Sequence, residues 1–107
     1  MNAVDVSLEP VAADSATHTH ALKLSAPTWE LNIWLTRSDL VALAKVRTAR
    51  WADRSTVRIG ESAGAAAHWS IDAGSLTILV GSDDETWDFS VSMPEGVLSR
   101  IISCVTV

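Results

Sequence analysis

The sequence predicts an α+β fold: an antiparallel sheet of about six strands, covered on one face by two helices in a β-β-α-β-β-β-β-α two-layer sandwich. Three observations predict it. Every second residue is apolar in Trp29-Leu31-Ile33-Leu35, Ala67-Trp69-Ile71 and Trp87-Phe89-Val91, so each run presents one apolar strand face and the three tryptophans share a buried layer. Leu40, Leu43, Ala44, Arg47 and Trp51 recur at three- and four-residue spacing, as on one face of a helix. The alternating runs after position 55 lie so close together that only antiparallel neighbours can be joined. A sheet that is apolar on one face needs one covering layer, and two amphipathic helices supply it.

The elements follow in order within one globular domain, 1–107. Residues 1–16 show no sustained period and contain Pro10; they read as either a loose arm or a short edge strand. Thr17 to Leu24 alternates, with His18, His20, Leu22 and Leu24 on one face. Ser25-Ala26-Pro27 makes a turn into Thr28–Leu35, the strongest strand pattern in the chain. Ser38 is the expected N-cap of a helix that starts at Leu40 and ends near Arg50, with Asp39 favouring the positive end of its dipole. Strands are expected over Thr56–Glu61, Ala66–Ile71, Ser75–Val80 and Thr86–Ser92, the middle two joined by Asp72-Ala73-Gly74. Pro94 suits the first position of a second helix, whose buried stripe is Val97, Leu98, Ile101, Ile102 and Val105.

Composition narrows the function classes. Apolar residues make up 48% of the chain, and no apolar run approaches a membrane span. Asp5, Glu9 and Asp14 make the N-terminal segment unlike a signal peptide, and the lone Cys104 excludes an internal disulfide. A cytoplasmic protein with no membrane partner is expected. Alanine richness, with six arginines to two lysines, fits a GC-rich bacterial genome. Net charge is −5 and unevenly spread. Arg37, Lys45, Arg47, Arg50, Arg54 and Arg58 fall in one segment, while Asp83, Asp84, Glu85 and Asp88 crowd another.

Few residue patterns carry chemistry. His18 and His20 point the same way on a strand and are the weak candidates for a metal site. His68, the third histidine, lies on the opposite strand phase, so no metal or other cofactor is assigned. Cys104 sits among Ile101, Ile102 and Val105 and reads as an inert core thiol. No nucleophile elbow occurs, and Gly60-Glu61-Ser62-Ala63-Gly64 lacks the lysine of a phosphate loop. The acids at 83–88 lack calcium-loop spacing. No catalytic residue is assigned. Arg50, Arg54 and Arg58 form a basic patch next to Trp51, but the acidity of the whole chain disfavours nucleic acid.

Trp34 is out of phase with its strand and shares the polar side with Glu30 and Asn32. Tryptophan on such a face, split charge and the lack of a catalytic set together point to a non-enzymatic protein-binding module. Its partner-contacting residues would be Trp34, Glu30, Asp83, Asp84, Glu85 and Asp88, and its partner another protein or itself as a homodimer. The layout loosely resembles that of small bacterial immunity proteins, which implies an antitoxin-like role in which the acids at 83–88 mask a basic toxin. The alternative is a small enzyme, or a ligand- or metal-binding protein, with a pocket between sheet and helices using His18, His20 or Arg47.

Overall fold

A computed structural model describes residues 4–10, 19–83 and 86–105. Seven antiparallel strands form one sheet in chain order: β1 Asp5–Pro10, β2 His20–Ala26, β3 Trp29–Leu35, β4 Val57–Ser62, β5 Ala65–Asp72, β6 Ser75–Gly81 and β7 Trp87–Pro94. Helix α1, Arg37–Ala42, continues as a 3-10 helix over Leu43–Thr48; a 3-10 turn follows at Trp51–Asp53, and α2 spans Gly96–Val105. The two-layer α+β expectation holds. The strand count rises from about six to seven because Asp5–Pro10 forms an edge strand.

Helices and sheet meet through one apolar face. Leu22, Leu24, Leu31, Ile33, Leu35, Ile59, Trp69, Leu76 and Ile78 project from the sheet, and Leu43, Val46, Val97, Leu98 and Ile101 project from the helical layer. Burying each Leu or Ile side chain stabilises the fold by about 1.5–3 kcal/mol. Trp69 is buried outright, and its indole N–H donates to the Ile59 carbonyl at 3.0 Å. Trp29 is half-buried at the border of this core.

The first helix departs from expectation in a way its sequence explains. Leu40, Leu43, Val46 and Ala49 recur every three residues, and side chains at i and i+3 align in a 3-10 helix rather than in an α-helix. The buried row Leu43–Val46–Ala49 therefore tightens the second half of the segment. Its cap is Thr36, not Ser38: the Thr36 hydroxyl accepts from the Asp39 N–H, and the Asp39 carboxylate accepts from the Thr36 N–H. Pro94 ends β7 instead of starting α2, and Cys104 is exposed rather than in the core, because α2 turns its Val97–Leu98–Ile101 side inward. Helix α2 leaves the β7 edge and lies against β1 at the opposite edge, where Arg100 donates to the Val4 carbonyl at 2.6 Å.

Two irregularities position the outer face. Strands β3 and β4 share a single register pair, Trp34 opposite Glu61, and Gly60 beside it has φ +76°. Between β6 and β7 the register shifts: Val80 pairs with Phe89, but Gly81 pairs with Trp87, leaving Asp88 as a bulge. That extra residue turns Trp87 onto the face opposite Phe89 and Val91, so Trp87 leaves the layer shared by Trp29 and Trp69. Gly81 is required there, since a Cβ would stand 2.4 Å from the Trp87 Cα. Among the described residues no helix is long and apolar enough to cross a membrane.

Candidate interaction face

The face turned away from the helices carries three tryptophans. Trp34 is 43% exposed, on the same side as Glu30 and Asn32. The Asn32 amide donates to Glu30 at 3.0 Å, and Lys23 lies 3.8 Å from the same carboxylate. Register carries a single row across five strands: Trp34, Glu61, Ala66, Gly81 and Trp87. An indole stands at each end, and glutamate, alanine and glycine lie between. Four strand spacings of about 4.8 Å separate the ends by about 19 Å. The row therefore forms a trough bounded by tryptophan, floored by small side chains in its Trp87 half and carrying the Glu61 carboxylate beside Trp34.

Trp51 joins the Trp87 end. Arg50 pairs with Ile71 beyond the start of β4, held by the Ile71 N–H to Ala49 carbonyl bond of 2.8 Å, and the 3-10 turn then packs against β5. The Trp51 and Trp87 rings meet edge to face with centroids 6.2 Å apart, and the Arg54 guanidinium lies 3.9 Å over the Trp51 ring. An aromatic pair of this kind contributes about 0.5–1.5 kcal/mol, and an exposed cation–π contact about 0.5–1. A cleft of about 260 Å³ opens here, lined by Trp51, Asp72, Thr77, Leu79, Trp87 and Ser90. Leu79 is buried although it lies outside the main core, because the two rings cover it. His68 and Ser70, on the same face of β5, are also buried, and His68 Nε2 and Ser70 Oγ have no hydrogen-bond partner.

The residues singled out from sequence fall in several places. Trp34 and Glu30 occupy the outer face at the β3 end. Arg54 and Arg58 flank the trough, Arg58 paired with Glu61 at 3.6 Å; Arg50 is exposed at the bridge to Ile71. Arg47 and Trp51, expected on the core side of a helix, separate: Arg47 is exposed and donates to Ser99 at 3.3 Å, whereas Trp51 reaches the outer face. Asp83 accepts from both the N–H and the hydroxyl of Thr86, at 2.7 and 2.9 Å, which makes it a turn-forming residue. Asp88 is the exposed bulge residue. Asp84, Glu85 and His18 lie outside the described residues.

His20 is half-buried, with Nδ1 3.0 Å from the Thr19 hydroxyl. It shares the inner phase of Leu22 and Leu24, opposite to the outer-face His68. Among the described residues no three potential ligands gather into a metal cluster. Between sheet and helices, Leu24, Ile59, Trp69, Ile78 and Ile101 fill the core with no exposed surface. A cavity of about 270 Å³ lies where α1 meets β4, lined by Thr36, Asp39, Arg58, Gly60 and Glu61, and one of about 260 Å³ lies beside Arg47 and the start of α2. Comparison with family models, curated proteins and solved structures yields no match.

Proposed function

We propose that the chain is a non-enzymatic protein-binding module that docks an apolar segment of another protein in the trough between Trp34 and Trp87. The carrying observation is the cross-strand row itself: two half-exposed indoles about four strand spacings apart, with Ala66, Gly81 and an Arg58-paired Glu61 between them. A helix with its side chains is about 10–12 Å across, which such a gap admits. Indoles in this setting bury large rigid area at small entropic cost, the property that concentrates binding energy in a few residues. Arg54 and Arg58 at the margin favour a segment flanked by acidic side chains.

A photo-crosslinking residue at Ala66, in the floor, tests this in cells. The expected result is an adduct with a discrete protein that disappears in a Trp34→Ala, Trp87→Ala variant of unchanged melting temperature. A crosslinker at Val41, which is 73% exposed on the helical side, gives the background. Adducts at Ala66 no stronger than that background, or indifferent to loss of both indoles, would refute the assignment.

A further inference from the structure

The two edges of the sheet are built differently. Edge strand β1 carries Asp5, Glu9 and Pro10 and is backed by α2, features that block further strand pairing. Edge strand β7 is longer, with Asp88 as its one charge and Pro94 at its last position. It exposes Trp87 on the outer face and Phe89 on the inner face, at 39% and 42%. Soluble chains avoid such an edge unless it is paired.

The ladder fixes which groups are free. The Glu95 N–H donates to the Gly74 carbonyl at 2.8 Å, and antiparallel bonding alternates along a pair of strands. Met93 with Leu76, Val91 with Ile78 and Phe89 with Val80 therefore exchange the bonds to β6. Ser90 and Ser92 turn their N–H and C=O groups to the open edge. Pro94 fits this phase, since its missing N–H falls on the open side.

We propose that β7 pairs antiparallel with β7 of a second copy about a two-fold axis at Val91. Ser90 then lies opposite Ser92 of the second copy, and the reverse, so every free N–H and C=O of these serines is satisfied in both chains. Phe89 meets Met93 of the second copy on the inner face, and the two Asp88 carboxylates stay apart, each facing Pro94. Centring the axis on Ser90 would instead require pairing through the bulged Asp88. The interface is isologous and closes on itself, and the remaining β1 edges are blocked, so assembly stops at a dimer. This proposal goes beyond the trough reading: it uses the strand edge and stands whether or not the trough is occupied.

Sedimentation velocity on the full chain across the micromolar range tests it. The wild type should sediment at twice the 11.4 kDa chain mass, with a melting temperature that rises with concentration. Ser92→Pro removes an N–H that faces the open edge and spares the ladder to β6. Phe89→Lys places a charge on the same edge and keeps the Thr77–Ser92 hydroxyl contact of 3.0 Å that the proline variant loses. Both should be monomers, whereas Trp34→Ala should remain dimeric. A monomeric wild type, a dimer that survives both edge variants, or a dimer that dissociates on Trp34→Ala would each overturn the proposal.

Discussion

Replacing Gly60 with alanine separates two costs that are usually measured together. Its φ of +76° is one that an L side chain adopts at a cost of about 1–2 kcal/mol. The added Cβ would also stand 2.5 Å from Ile33 Cγ2, 2.8 Å from Leu35 Cδ2 and 2.8 Å from the Trp34 carbonyl oxygen. Ile33 and Leu35 have almost no exposed surface, so neither side chain can swing aside; overpacking of this kind costs about 1–3 kcal/mol. Gly60→Ala should therefore destabilise by about 2–5 kcal/mol. Gly64→Ala is the control: φ is +82°, but no atom lies within 4 Å of the added Cβ, so only the backbone cost of about 1–2 kcal/mol applies. Each kcal/mol lowers the melting temperature of a domain this size by about 4–8 °C. Urea and thermal unfolding of both variants give the comparison. Equal losses at Gly60 and Gly64 would refute the steric argument.

Two further outcomes follow from the same geometry. Trp69→Ala should cost about 3–5 kcal/mol, because it empties a core site and strips the Ile59 carbonyl of its donor, while half-exposed Trp34→Ala should cost clearly less; urea unfolding showing similar losses would contradict this. Asp83→Ala should destabilise by about 1 kcal/mol by leaving the Thr86 N–H and hydroxyl without their acceptor, and Asp83→Asn by less, since a carbonyl oxygen remains; a thermal melt unchanged in Asp83→Ala would show the turn to be held otherwise.

Much of the sheet is legible because burial on one face imposes alternation, which β3 shows cleanly, whereas in β5 and β6 the outer-face His68, Ser70 and Leu79 are buried as well. The outer-face site was harder to read. Trp34 announced itself by standing out of phase. Trp87 did not, because its phase depends on one bulged residue, Asp88, and a bulge leaves little trace in hydrophobic periodicity. Trp51 departs from its expected face for a related reason: the four-residue spacing from Arg47 implies a continuing helix, whereas Leu40, Leu43, Val46 and Ala49 mark a three-residue period that ends the helical segment sooner. Arg54 has φ 55°, and that left-handed residue, which closes the 3-10 turn carrying Trp51, has no glycine or asparagine to signal it. The exposed Cys104 illustrates a limit of short-range pattern: its neighbours Ile101 and Val105 are apolar, but α2 is too narrow a contact to bury every side.

The single register pair between β3 and β4 has a mechanical consequence. Trp34 belongs to one leaf of the sheet, β1 to β3, laced by continuous ladders, and Trp87 to the other, β4 to β7, whose ladders shift register once between β4 and β5 and once between β6 and β7. The join between the leaves is therefore a crease, bridged directly by α1, which packs against both β3 and β4, and spanned more widely by α2, a strap running from the end of β7 to the carbonyl of Val4. Trp34 and Trp87 sit on opposite sides of that crease, so a small rotation there would widen or narrow the gap between them. Spin labels at Glu30 and Ser92 should report a broader distance distribution once Arg100→Ala loosens the strap; an unchanged distribution would show the crease to be stiff. The spacing of Trp34 and Trp87 is thus set where the two leaves meet, by the β3–β4 pairing, by α1 and by the Arg100 end of α2.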